Sequence, residues 1–264
     1  MADILEEIVA WKRLEVAAAK ERKPYAQLER EVQLQTHCPI NMRQRLQDSA
    51  SGIISEFKRK SPSKGWIHPD VEPEQVIPFY AENGAAAISC LTDEKYFGGR
   101  LEFIQRVRPM VKDTPIMRKE FIVDEYQLLE ARAVGADAVL LIAADLKIPE
   151  YLRLLRETHN LGMQALLEIH DEKELDYYEA APDECDMLGV NNRHLGTFHT
   201  DVQHSVDIAR LLPQEQVLVS ESGISHPETI RMLRLTGYRG FLMGECFMKE
   251  QDPGQALKQF IQAI

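Results

Sequence analysis

Ile53-Ile54-Ser55-Glu56-Phe57-Lys58 is an apolar run that finishes on charge, the opposite of what a purely structural strand needs. Four more runs end the same way: Ile116-Met117-Arg118-Lys119, Ala165-Leu166-Leu167-Glu168, Leu188-Gly189-Val190-Asn191-Asn192-Arg193 and Val217-Leu218-Val219-Ser220-Glu221. One such ending is an ordinary strand meeting solvent. Five of them at repeat-like spacing point to one polar site assembled where parallel strands finish, which is where α/β sheets place their chemistry.

Outward from these runs, strand-like segments begin near Ile53, Ala86, Ile116, Ala138, Gln164, Met187, Val217 and Gly240. Helical stretches separate them: Glu74–Asn83, about Leu101–Val111, Glu125–Val134, Pro149–Asn160, Glu172–Ala180, Val202–Leu211, Pro227–Leu235 and Pro253–Ala263. Gly84, Gly135, Gly162 and Gly237 stand just beyond a last turn, as a left-handed helix stop requires. Pro78 should kink the first of these helices or push its start later. Eight strand–helix units imply an α/β fold with a parallel sheet, and eight is the number that closes a (β/α)8 TIM barrel. Ahead of the barrel, helices are predicted over Asp3–Lys23 (Asp3 capping, with Glu6 three residues later), Tyr25–Leu34 and Met42–Asp48. The expected organisation is one domain over 1–264, with residues 1–50 an N-terminal helical extension and 51–264 the barrel.

A net charge of −11 without a long basic block speaks against nucleic acid or an anionic membrane as partner. A phosphorylated small molecule would need a local cationic cluster. Cys38, Cys90, Cys185 and Cys246 are far apart and read as reduced thiols. The acidic start of the chain does not resemble a signal peptide, and no apolar run reaches the ~20 residues that span a bilayer. A cytoplasmic protein is expected. The eight histidines show no metal-ligand spacing, so no metal is expected. The absence of G-x-S-x-G and G-x-x-x-x-G-K-[ST] argues against an α/β-hydrolase or a P-loop enzyme.

Glu56 and Lys58, two apart on a strand, should project together into the barrel mouth, either as a structural ion pair or as part of a site. The loop Arg59-Lys60-Ser61-Pro62-Ser63-Lys64-Gly65 is cationic and turn-forming, suited to closing over an anion. Arg118 and Lys119 are adjacent, so one faces the lumen and periodicity does not choose between them. Glu168 ends an apolar run, and a dry environment would raise its pKa toward that of a useful acid/base. Asn191, Asn192 and Arg193 offer amide and guanidinium donors for a carboxylate or hydroxyl. Ser220-Glu221-Ser222-Gly223-Ile224 and Gly240-Phe241-Leu242-Met243-Gly244-Glu245 follow the seventh and eighth strands, the recurring phosphate position of barrels.

At these residues the chain closely resembles the indole-3-glycerol-phosphate synthase family. The matching segments are ISEFKRKSPSKG (54–65), YFGG (96–99), MRKEFIVDEYQ (117–127), GADAVLLIAA (135–144), ALLEIHDEKEL (165–175), GVNNRHLGTF (189–198), VSESGI (219–224) and GFLMGE (240–245). The leading Ile8-Val9-Ala10-Trp11-Lys12-Arg13 is similar as well. The resemblance implies a cofactor-free ring closure of 1-(2-carboxyphenylamino)-1-deoxyribulose 5-phosphate to indole-3-glycerol phosphate, with loss of CO2 and water, in tryptophan biosynthesis. It implies Lys119 as the general acid at the ketone and Glu168 as the group handling protons in the dehydration. Glu56 and Asn191 would position and polarise the reacting groups, and Lys58 would engage the substrate carboxylate or serve as a second acid. Arg193 and Glu221 would orient the site. Ser61, Ser222, Gly223, Gly244 and Glu245 would bind substrate, the last four through backbone N–H groups at the phosphate. Cationic neighbours are expected to lower the Lys119 pKa. Arg100, His194 and Cys246-Phe247 depart from the family's usual residues, at positions with no assigned role. A monofunctional chain is expected, as a monomer or weak homodimer. The alternatives are a phosphoribosylanthranilate isomerase-like barrel, which would use a Cys/Asp pair, and a catalytically idle barrel subunit.

Overall fold

Short runs of Ile, Val, Leu and Ala that are buried on both faces form parallel strands and not alternating ones, because helices cover the outer face while the lumen fills the inner. In the computed structural model, which describes residues 4–194 and 199–264, these strands are β1 (Ile53–Phe57), β2 (Ala87–Leu91), β3 (Ile116–Lys119), β4 (Ala138–Ile142), β5 (Gln164–Ile169), β6 (Met187–Asn191), β7 (Val217–Glu221) and β8 (Gly240–Met243). Each pairs in parallel with the next, and β8 closes on β1. This is the (β/α)8 barrel anticipated from the sequence. The register sets Glu168 opposite Ile142 and Glu221 opposite Asn191, so the polar ends meet at one rim. The Asp3 cap and the 195–198 part of the GVNNRHLGTF segment lie outside the described residues.

Two apolar layers follow from the two strand faces. Ile54, Met117, Leu140, Leu166, Met187, Val219 and Leu242 fill the lumen, while Ile53, Phe57, Ile88, Val139, Leu167, Leu188 and Phe241 pack beneath the helices. The leading helices are α1 (Ile4–Arg22), α2 (Tyr25–Leu34) and α3 (Met42–Asp48). Helix α3 starts on Asn41, whose side chain accepts from Gln44 N at 2.8 Å, and it sends Met42 and Leu46 into the lumen core as the floor of the barrel. Asp137, fully buried at the same end, accepts from His37 Nε2, Ile40 N, Arg108 Nη1 and Ile116 N at 2.6–2.7 Å. The extension is therefore bonded into the barrel at several points.

At the other end, α1 lies against the mouth. Leu5, Ile8 and Val16 are buried on one side of it, and Lys12, only 2 % exposed, bridges to Asp93 and Glu120 at 3.0 Å each and to Glu15 at 3.2 Å. Pro78 falls in the first turn of an α-helix over Ile77–Glu82 that follows a 3-10 turn at Pro73–Gln75, so the expected start at Glu74 moves later. The helix expected at Leu101–Val111 is shorter, Glu102–Val107. Gly84, Gly135, Gly162 and Gly237 all take positive φ. A hairpin pairing Lys60–Ser61 with Gly65–Trp66 and short helices at Glu94–Phe97 and Glu245–Met248 decorate the rim.

Candidate active site

The carboxyl ends of the strands surround a cavity of about 470 Å3. Alternation along β1 carries Glu56 inward, and Lys58 follows it, with Nζ 2.5 Å from Glu56 Oε1. On β3 the same rule separates the adjacent cations. Arg118 points outward, donating to Thr92 Oγ1 at 3.1 Å and Gln127 O at 2.7 Å and pairing with Glu130 at 3.2 Å. Lys119 points into the lumen, 3.3 Å from Glu168 Oε2 and 3.0 Å from Glu221 Oε2. Asn191 Nδ2 donates to Glu168 Oε1 at 3.0 Å, while Asn191 Oδ1 accepts from Arg193 N at 3.0 Å.

The charges of this cluster differ from expectation in two respects. Burial acts to lower the Lys119 pKa, but Glu221, Glu168 and Glu56 together outweigh it and raise the pKa above its ordinary value. The expected lowering fails because Arg118 turns away and leaves the ammonium facing carboxylates. Burial likewise pushes Glu168 up, as expected, yet the charges of Lys119 and His170 and the Asn191 hydrogen bond bring it well below the usual carboxylate range. The raised carboxyl is Glu221, where burial and the Glu168 charge prevail over Lys119.

The loop after β1 reaches over the mouth. Arg193 Nη1 donates to Ser63 Oγ at 3.0 Å, and Lys64 Nζ lies 2.5 Å from Glu245 Oε1. Ser61, Arg193, Ser222, Gly223, Gly244 and Glu245 all line the cavity, as do Lys58, Lys64 and Lys249. Ser222 and Gly223 form a turn with φ of 69° and 79°. Gly244 packs so closely on Glu56 that a Cβ there would stand 2.6 Å from Glu56 Oε1. Asn192 departs from expectation: it is buried away from the cavity, donating to Ser220 Oγ and Ser222 O and accepting from Ser205, and so braces the turn.

An apolar wall was not anticipated. Leu5 and Ile8 of α1, with Phe97, Phe121, Leu140 and Ile142, line the cavity beside the charged cluster. The Phe97 and Phe121 ring centroids are 6.0 Å apart. The YFGG and KEFIV segments carried both rings in plain view, but as matched motifs and not as site residues. Among the described residues no group of three or more His, Cys, Asp or Glu is placed to hold a metal ion, and no helix is long and apolar enough to cross a membrane.

This arrangement can donate a proton, accept one, seat an anion and stack a flat apolar group within one cavity. Comparison with known proteins agrees with it. A chain from Bacteroides thetaiotaomicron named indole-3-glycerol phosphate synthase is 52% identical over 264 residues, covering 100% of both chains. A Burkholderia lata chain of the same name is 40% identical over 259 residues, covering 97% of this chain and 98% of that one. Among solved structures, thiamine phosphate pyrophosphorylase from Pyrococcus furiosus superposes with a TM-score of 0.61 at 17% identity, over 84% of this chain and 97% of that one, a likeness of fold alone. The family model "Indole-3-glycerol phosphate synthase" matches residues 5–260, nearly every element described above, and with the two relatives it places this chain in the indole-3-glycerol phosphate synthase family.

Proposed function

We propose that this chain is the carboxy-lyase that closes the indole ring in tryptophan biosynthesis, converting 1-(2-carboxyphenylamino)-1-deoxyribulose 5-phosphate to indole-3-glycerol phosphate. The observation that carries the reading is Lys119 held between Glu168 and Glu221, beside an apolar wall of two phenylalanine rings. The anilino ring rests on that wall, against Leu5 and Ile8 on the α1 side. Its carboxylate-bearing carbon attacks the ketone while Lys119 gives a proton to the ketone oxygen. The new carbon–carbon bond leaves a cationic nitrogen, and breaking the bond to the carboxylate releases CO2 and returns the electron pair to the ring. In the final step Glu168 takes a proton from the carbon next to nitrogen, and Lys58, freed of the carboxylate once CO2 has gone, gives a proton to the hydroxyl, which leaves as water. The aryl amine supplies the electrons throughout, so the reaction proceeds without a cofactor. Positioned acids and bases of this kind contribute about 10²–10⁴-fold each.

Glu56 and Asn191 hold the reacting groups, and Lys58 meets the substrate carboxylate. Glu221 orients Lys119. The phosphate sits at the Ser222-Gly223 turn and at Gly244-Glu245, with Arg193 and Ser61 closing on it. We place the reaction in a single domain, a cytoplasmic protein acting as a monomer or weak homodimer. Incubating the purified protein with the carboxyphenylamino substrate and following indole fluorescence tests the proposal. Steady growth of the signal is expected, and folded protein that yields no product overturns it.

A further inference from the structure

Glu168 has a neighbour that the chemistry above leaves unused. His170 follows it by two residues, its side chain 11 % exposed, and it does not line the cavity. Its Nε2 lies 3.3 Å from Glu168 Oε1 and its Nδ1 3.7 Å from Glu174 Oε2. The backbone N–H of His170 donates to the same Glu174 oxygen at 2.5 Å, which fixes that carboxylate beneath the ring. From a third element, the 3-10 turn Ala143–Asp145 after β4, Asp145 brings a carboxylate whose two oxygens are buried without a hydrogen-bond partner. Glu221 acts on the ring from β7. Two carboxylates thus flank one imidazole at close range, while the Glu221 and Asp145 carboxyl groups interact with it electrostatically. Lys119 occupies the far oxygen of Glu168, and Arg13 of α1 acts on Asp145.

We infer that His170 is a positioning residue for Glu168: its imidazolium, lying between Glu168 and Glu174 at ion-pair distance, keeps the Glu168 carboxylate ionised and turned toward the cavity. The inference rests on the proton-handling role given to Glu168 above. Without this cation, Lys119 alone would balance Glu168, and Glu174 would be left as an uncompensated carboxylate close by; like charges at close range favour proton uptake by one of them. The direction of titration agrees. Burial acts to lower the His170 pKa, but Glu174, Glu168 and Glu221 outweigh it and raise it above its ordinary value. The support from His170 is accordingly present at low pH, while the ring is charged, and fades as pH rises through its own pKa. A neutral replacement should then hurt most in acid and least in base.

His170→Gln and His170→Asn test this, with kcat and KM measured across pH and melting temperature recorded alongside. The expected result is a loss of about tenfold in kcat/KM near about pH 6, carried by kcat, that shrinks to within about twofold by about pH 9. Titration of the imidazole by NMR in the unliganded protein gives a readout independent of activity. His170 should titrate above its ordinary value, and its pKa should fall in Glu168→Gln. A loss uniform across pH, or a His170 titration that Glu168→Gln leaves unmoved, overturns the inference. If the wild-type protein makes no product, the proposed activity fails instead, and the NMR titration still decides the pairing.

Discussion

Lys119 Nζ lies 3.0 Å from Glu221 Oε2, a bond across the lumen between strands on opposite sides of the barrel. Glu168 takes the other side of the same ammonium, so one cation serves two buried carboxyl groups. Two like charges that close, in a dry site, do not both ionise freely. Glu168 has the additional support of Asn191 and His170, and it is the one held low; Glu221 is the one pushed up, to about 8. The resting cluster therefore holds an ammonium, an ionised Glu168 and a Glu221 that carries a proton through neutral pH.

The pH dependence of stability follows from that proton. The folded pKa of Glu221 lies above its ordinary value of 4.5, so between 4.5 and about 8 the folded chain holds a proton that the unfolded chain has released. Stability from this group is accordingly lost as pH rises through that window. Glu221→Gln cannot ionise and escapes the loss. Its melting temperature relative to wild type should climb steadily from acid to mild base, whereas a difference flat with pH would mean that Glu221 is ionised throughout.

Glu168→Gln and Lys119→Ala should both lose kcat by about 10²–10⁴-fold. Their stabilities should differ. Glu168→Gln removes one of two competing carboxylates and should leave melting nearly unchanged. Lys119→Ala leaves Glu168 and Glu221 without their shared ammonium, which should lower the melting temperature, more in base than in acid where the carboxyls can protonate. Parallel melting and activity assays on the two variants check this.

The barrel and its charged rim are legible in the sequence because inward positions at strand ends hold Glu56, Lys119, Glu168, Asn191 and Glu221, residues too costly to bury without a purpose. The apolar wall is not. Leu140 faces the lumen and Leu141 the helices, and both read as one hydrophobic run. The signs of the pKa shifts are hidden for a related reason: they depend on which groups meet across the barrel, and Lys119 and Glu221 are 102 residues apart. Asn192 misleads because its neighbour Asn191 faces the site, and a single step along the strand turns the amide outward.

Lys12 ties α1 to the ends of β2 and β3 through Asp93 and Glu120, and α1 supplies Leu5 and Ile8 to the cavity. Lys12→Met strands two buried carboxylates, a loss of about 3–5 kcal/mol. Loosening α1 should also raise KM for the substrate several-fold while kcat changes less, since the helix forms wall and not chemistry. Steady-state kinetics at a temperature where the variant is folded would separate the two. An unchanged KM would mean that α1 keeps its place without the lysine.

Gly244 provides the sharpest steric test. Its φ of −130° lies outside the left-handed region that favours glycine. The constraint is contact: an added Cβ would meet Glu56 Oε1 at 2.6 Å and Glu56 Cβ at 2.9 Å. The first of these could swing aside, but the second belongs to strand β1 itself and moves only with it. Gly244→Ala should therefore displace Glu56 and, with it, Lys58, which pairs to the same carboxylate. A shift of about 1 Å at a positioning group costs about 10²-fold in rate. The loss should divide between kcat, through Glu56, and KM, through the proposed phosphate seat in the cavity that the same glycine lines, with both parameters within twofold of wild type as the result that would rule this out.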